Sequence, residues 1–105
     1  MIDIKEIQSL YKDMKVVFTD HFLDRIQKRG ISFSNIRAAV NNGHVIEQYS
    51  DDYPYPSALV SGHSNDDMPL HVVIGIGNGL AWLITAYYPS SDLWEADYRT
   101  RKVGN

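Results

Sequence analysis

A chain of 105 residues, 44% hydrophobic and 22% charged, has the make-up of one globular domain, 1–105, built around a single core. The absence of cysteine excludes disulfides, zinc–thiolate sites, iron–sulfur clusters and a cysteine nucleophile, and it fits a reducing cytoplasm. A net charge of −3 speaks against gripping nucleic acid by bulk electrostatics, Met1-Ile-Asp-Ile-Lys-Glu6 shows no signal-peptide pattern, and no apolar run reaches membrane-spanning length.

Ile4, Ile7, Leu10, Tyr11 and Met14 recur at helical spacing and predict an amphipathic helix over 3–13. Lys15-Val-Val-Phe18 is too short to classify and is expected to enter the next helix in extended form. Thr19 or Asp20 caps that second helix, and Gly30 supplies a left-handed stop. Ser32 caps a third helix, with Ile31 and Ile36 forming a hydrophobic staple, and Asn41-Asn-Gly43 ends it. The apolar period then changes from 3.6 to 2. Strands are predicted at 44–49, 58–63, 70–76 and 80–87, and Gly77-Asn-Gly79 is a hairpin signal. Residues 93–101 form a tail, helix or coil. Helices followed by strands with short loops predict α+β architecture, with two to three N-terminal helices packed on a four-stranded antiparallel sheet.

Chemistry concentrates first in the second helix, where His21, Arg25 and Arg29 stand four apart and so share a stripe beside the apolar Phe22, Leu23 and Ile26. An imidazole can move a proton near neutral pH, and guanidiniums offer fixed, permanently charged forks to phosphate oxygens. His71 sits within an apolar strand, on the side of Val73 and opposite Leu70, Val72 and Ile74; it reads first as a satisfied core residue. Tyr87 ends the last strand on the side assigned to Leu83 and Thr85, and reads first as a packing residue with a wet hydroxyl. Arg101 and Lys102 lie near a terminus, where fraying is the default. Seven of the ten basic residues lie between Lys5 and Arg37, the other three at 99–102, and 44–97 has none against eight acidic residues. If both ends meet at one site, an acidic protein can carry a local positive patch. No spacing of His and carboxylates suggests a metal site, and no cofactor is expected.

Thr19-x-His21-x-x-x-Arg25-x-x-x-Arg29-Gly-Ile-Ser32, then Pro69-Leu-His71-Val-Val, Ile84-Thr-Ala-Tyr87-x-Pro89, Trp94 and Arg101-Lys102 resembles the bacterial domain-of-unknown-function 4258 family, over about 17–102. The resemblance implies a RelE- or barnase-like fold. It also implies a toxin of a toxin–antitoxin pair that cleaves RNA, encoded beside an antitoxin, often of zinc-finger helix-turn-helix type. On this chain it singles out His21, Arg25, Arg29, His71 and Tyr87 as catalytic, with Lys28, Arg101 and Lys102 contacting RNA. The expected reaction is metal-free. One histidine, not assigned, removes the 2′-hydroxyl proton, and the other protonates the leaving 5′-oxygen across a shared cleft, with the arginines between. The acidic middle suggests RNA presented by a ribosome. The other readings are a non-catalytic protein- or RNA-binding module and a small-nucleotide phosphodiesterase.

Overall fold

The computed structural model describes residues 1–103 and orders them as three helices and a five-stranded sheet. The elements are α1 (Ile4–Lys12), β1 (Val16–Phe18), α2 (Asp20–Lys28), α3 (Phe33–Asn42), β2 (His44–Tyr49), β3 (Ser57–His63), β4 (Pro69–Gly77) and β5 (Leu80–Tyr87). The sheet order is β1-β5-β4-β3-β2, antiparallel except for β1, which runs parallel to β5. The class is therefore α+β as the sequence indicates, but the sheet is mixed and five-stranded, not four antiparallel strands. The extra strand is Val16–Phe18, two β-branched residues and an aromatic one that pair with Ala81–Leu83 far along the chain.

Local chemistry sets the helix ends. Thr19 Oγ1 accepts from the Phe22 N–H at 3.1 Å and Ser32 Oγ from Asn35 N–H at 3.1 Å, so both are N-caps, and Asp20 occupies the first turn of α2. Gly30 takes φ 66°, while Gly30 N–H bonds Gln27 O and Ile31 N–H bonds Ile26 O, closing α2 in a Schellman motif. At the β4–β5 turn Asn78 and Gly79 both have positive φ, 56° and 74°, the type I′ geometry that matches strand twist.

The helices cover one face of the sheet. Ile7, Phe22, Ile26, Ile36 and Val40 pack there on Val60, Leu70, Val72, Ile74, Ala81, Leu83 and Ala86, all buried. Glycine allows α3 to sit directly on β3, since a Cβ at Gly62 would run into the Ala39 carbonyl oxygen. The opposite face is covered in part by the C-terminal tail. Residues 93–102 form no helix. Trp94 and Arg101 make an antiparallel bridge, Glu95 N–H bonds Thr100 O at 2.8 Å, and Lys102 N–H bonds Leu93 O at 2.9 Å. The tail that fraying would predict is instead folded back onto the sheet.

Candidate functional site

One irregularity in β5 decides where Tyr87 points. Val73 pairs with Thr85 and Ile74 with Leu83, so Ile84 is an extra residue, a β-bulge. The bulge reverses the alternation. Ala81 and Leu83 face the helices, whereas Thr85 and Tyr87 face the tail side with Val73 and His71. The grouping of Tyr87 with Leu83 is thereby corrected, and Tyr87 lies directly across from His71.

His71 is wholly covered, beneath Trp94 and beside Tyr87, whose rings meet it edge-on with centroids 4.6 and 5.3 Å away. Its Nε2 is 2.7 Å from the Tyr98 carbonyl oxygen and its Nδ1 3.3 Å from the Tyr87 hydroxyl. A carbonyl only accepts, so Nε2 carries the proton and, in the neutral ring, Nδ1 accepts from the Tyr87 O–H. Burial pushes the His71 pKa below the ordinary histidine value, and the Tyr98 carbonyl and Glu47 carboxylate only partly offset this. The Tyr98 carbonyl also accepts from Ser61 Oγ at 3.0 Å. Tyr98 itself is held at φ 53°, the left-handed conformation that aims this carbonyl at the sheet.

Charges converge around this pair from both ends of the chain. Arg101 forks onto Glu47, Nε to Oε2 at 2.6 Å and Nη2 to Oε1 at 3.1 Å, and its guanidinium carbon lies 4.6 Å over the Trp94 ring. That hydrogen bonding holds Glu47 below the usual carboxylate range and raises the Arg101 pKa. The Tyr49 hydroxyl donates to Glu47, and burial together with that carboxylate pushes the Tyr49 phenol up to about 12. Arg29 extends from the end of α2 to Ala86 O at 2.8 Å and Thr85 Oγ1 at 3.3 Å, both through Nη1. Burial, with the Glu47 carboxylate adding to it, holds the Tyr87 pKa above the ordinary phenol value, and the charges of Arg101 and Arg29 only partly offset this. One cation from each basic stretch, Arg29 and Arg101, thus acts on the same phenol.

Other candidates lie elsewhere. His21 is exposed and lines a separate cavity with Thr19, Gly75, Trp82 and Ile84. From Gly75 to His71 is four strand residues, roughly 13 Å at strand rise. The two imidazoles therefore do not face each other across a cleft. Nor is His71 open to substrate, because Trp94, Tyr98 and Tyr87 close over it. Arg25 does not stand between the histidines either; it pairs with Asp24 Oδ2 at 3.3 Å on the exposed face of α2, and Lys28, expected to contact RNA, pairs with the same oxygen at 3.2 Å. Lys102 is exposed, and its backbone N–H bonds Leu93 O at 2.9 Å. Glu47, Tyr49 and Trp94 are the site residues that the sequence reading passed over as site members. In sequence Glu47 looks like one polar position of an alternating strand, and only the fold shows Arg101 opposite it.

A family described as Domain of unknown function (DUF4258) matches residues 18–88, and the chain belongs to that family. The match runs from the last residue of β1 to just past β5, including His21, Arg29, Glu47, His71 and Tyr87, but stops short of Trp94 and Arg101, which the sequence resemblance had included. No curated protein and no solved structure matches the chain.

Proposed function

We propose that this chain is a metal-free endoribonuclease, the toxin component of a bacterial toxin–antitoxin pair, and that it cleaves RNA by attack of a 2′-hydroxyl on the adjacent phosphate. One observation carries the reading. The Tyr87 phenol rests on the acceptor nitrogen of a covered, neutral imidazole, with Arg29 and Arg101 near enough to act on its charge.

The chemistry runs through one histidine. The 2′-hydroxyl gives its proton to the Tyr87 oxygen as Tyr87 passes its own to His71 Nδ1. The imidazolium so formed keeps Nε2–H on the Tyr98 carbonyl and is favoured by the Glu47 charge. The freed 2′-oxygen bonds to phosphorus, and the P–O bond to the 5′-oxygen breaks. That oxygen takes a proton from water, leaving a 2′,3′-cyclic phosphate, and the hydroxide so formed takes the extra proton back from His71 through Tyr87, restoring the neutral imidazole and the phenol. Arg29 and Arg101 offset the charge that grows on the phosphorane, a contribution of several kcal/mol at typical sites. His71 acts on RNA only through Tyr87, so a covered ring is no obstacle.

RNA presented by a ribosome suits a chain whose charge is acidic overall, and the reaction would take place in the cytoplasm. The partner would be a cognate antitoxin, of zinc-finger helix-turn-helix or other type. The free edge of β1 supports a protein partner. Lys15, Val17 and Thr19 turn their backbone groups to β5, so those of Val16 and Phe18 turn outward, where no described residue bonds them. Beside them runs a groove of about 920 Å³ lined by Met14, Phe18, Phe33, Lys12 and Arg37. An extended, acidic antitoxin segment would add there as a sixth strand with apolar side chains in the groove.

The second reading is a non-catalytic RNA- or protein-binding module. It is favoured by the Arg101–Glu47 fork, which leaves that guanidinium little uncompensated charge. Incubating the protein with total RNA and mapping the fragment ends separates the two. New 2′,3′-cyclic phosphate termini are expected, together with toxicity on expression that a neighbouring gene relieves. Retention of RNA with intact ends would support the binding module instead.

A further inference from the structure

Away from Tyr87 lies a cavity of about 320 Å³ between the first turn of α2, the β2–β3 loop and the open face of β4–β5. Its walls are the rings of Tyr53, Tyr55 and Trp82 with Pro54 and Ile84, and its polar groups are His21, Asp52 and Thr19, whose hydroxyl is already engaged by Leu83 O and the Phe22 N–H. Tyr55 and Trp82 stand 5.5 Å apart and tilted by 33°, and the Trp82 indole N–H is anchored on Gly77 O at 3.0 Å. Gly75 forms part of the lining, and a Cβ there would meet Ile84 Cδ1, Pro56 O and Trp82 Cβ at 3.5–3.8 Å, ordinary contact distances.

Resting on the reading of RNA as substrate, we propose that this cavity is a nucleobase site that prefers guanine. Aromatic walls without a lysine or arginine suit the face of an uncharged planar ring and not a phosphate. At the edge, Asp52 accepts from Ser57 Oγ at 2.6 Å and from the Tyr53 N–H at 3.3 Å. A carboxylate has room for about four donors, so acceptor capacity remains. Guanine offers two adjacent N–H donors, N1–H and N2–H, whereas uracil offers one and adenine and cytosine offer an amino group beside an acceptor. The carboxylate thus selects the base, and His21, at the same mouth, can reach its remaining acceptors. From His21 to Arg29 is eight helical residues, roughly 12 Å. Arg29 touches β5 at Thr85 and Ala86, next to Tyr87. α2 thereby runs alongside β5 from the base site to the proposed reacting centre, and a short extended stretch of RNA spans the two.

The test is direct titration of the full chain with each free nucleoside, followed by ¹H–¹⁵N spectra. The expected result is saturable shifts of the Gly75 amide and Trp82 indole signals, largest affinity for guanosine. Asp52→Asn should weaken guanosine by about tenfold while leaving adenosine unchanged. Gly75→Val, a strand-compatible residue whose added methyls enter the cavity, should abolish binding of every nucleoside. A dispersed spectrum and an unchanged melting temperature certify that each variant is folded. No shift at these signals with any nucleoside, or equal affinity for all four that Asp52→Asn does not alter, overturns the proposal. Nucleoside binding without RNA cleavage sinks the ribonuclease reading and leaves this site standing. Cleavage without base binding does the reverse.

Discussion

Burial of an imidazole between a carbonyl and a phenol has a thermodynamic consequence at the scale of the single residue. His71 in the folded protein binds its proton less readily than in the unfolded chain. Below about pH 6.5 the unfolded state therefore takes up a proton that the folded state refuses, so stability falls on acidification until the folded ring itself titrates. Glu47, whose pKa is lowered, adds stability above the ordinary carboxylate range that is lost as pH falls through its folded value. Thermal melts from about pH 7.5 to about pH 5 should show a declining midpoint. His71→Gln, less stable throughout, should lose most of the decline between about pH 7 and about pH 5.5; an unchanged slope would show that the ring is not the titrating group. In the sequence, His71 and Tyr87 were legible as residues of interest only through the family resemblance. Their register partnership was not, because one extra residue at Ile84 inverts every assignment beyond it.

Elements whose ends are fixed by neighbouring residues were legible almost to the residue. Thr19, Ser32, Gly30 and Asn78-Gly79 act through bonds no more than a few positions away. β1 was not, since three residues gain their strand character only by pairing with Ala81–Leu83. The tail was not, for the same reason. Its order depends on Trp94 lying on His71 and on Tyr98 O receiving two donors from the sheet. Trp94 is 2% exposed, and Trp94→Ala should cost about 3–5 kcal/mol in denaturant unfolding while uncovering His71. Two glycines should separate local strain from packing. Gly30→Ala places a methyl in open space and should cost only the left-handed backbone, about 1–2 kcal/mol. Gly62→Ala drives a methyl into the backbone of α3 and should cost more, with α3 amide protection lost first. Equal losses at both sites would mean that α3 yields without resistance.

For the whole molecule the issue is how an acidic protein would bind the polyanion proposed as its substrate. The described residues include no helix long and apolar enough to cross a membrane. The acidic 44–97 stretch supplies four of the five strands, while cations from either end of the chain gather along α2 and near Tyr87. On the proposed reading two arginines, Arg29 and Arg101, meet phosphates, so log affinity for single-stranded RNA should fall with log salt at a slope of about −1.4. A steep slope would point to a wider basic surface than this fold provides. The proposed reaction rests most heavily on the phenol acting for the covered imidazole. The direct measurement is single-turnover RNA cleavage by the parent chain and by Tyr87→Phe, with release of 2′,3′-cyclic phosphate ends as the readout. Tyr87→Phe keeps the ring against His71 and should retain its melting temperature within a few degrees, yet cleave about 10²–10⁴-fold more slowly. Cyclic-phosphate formation at the parental rate by Tyr87→Phe, or none by the parent chain, would contradict it.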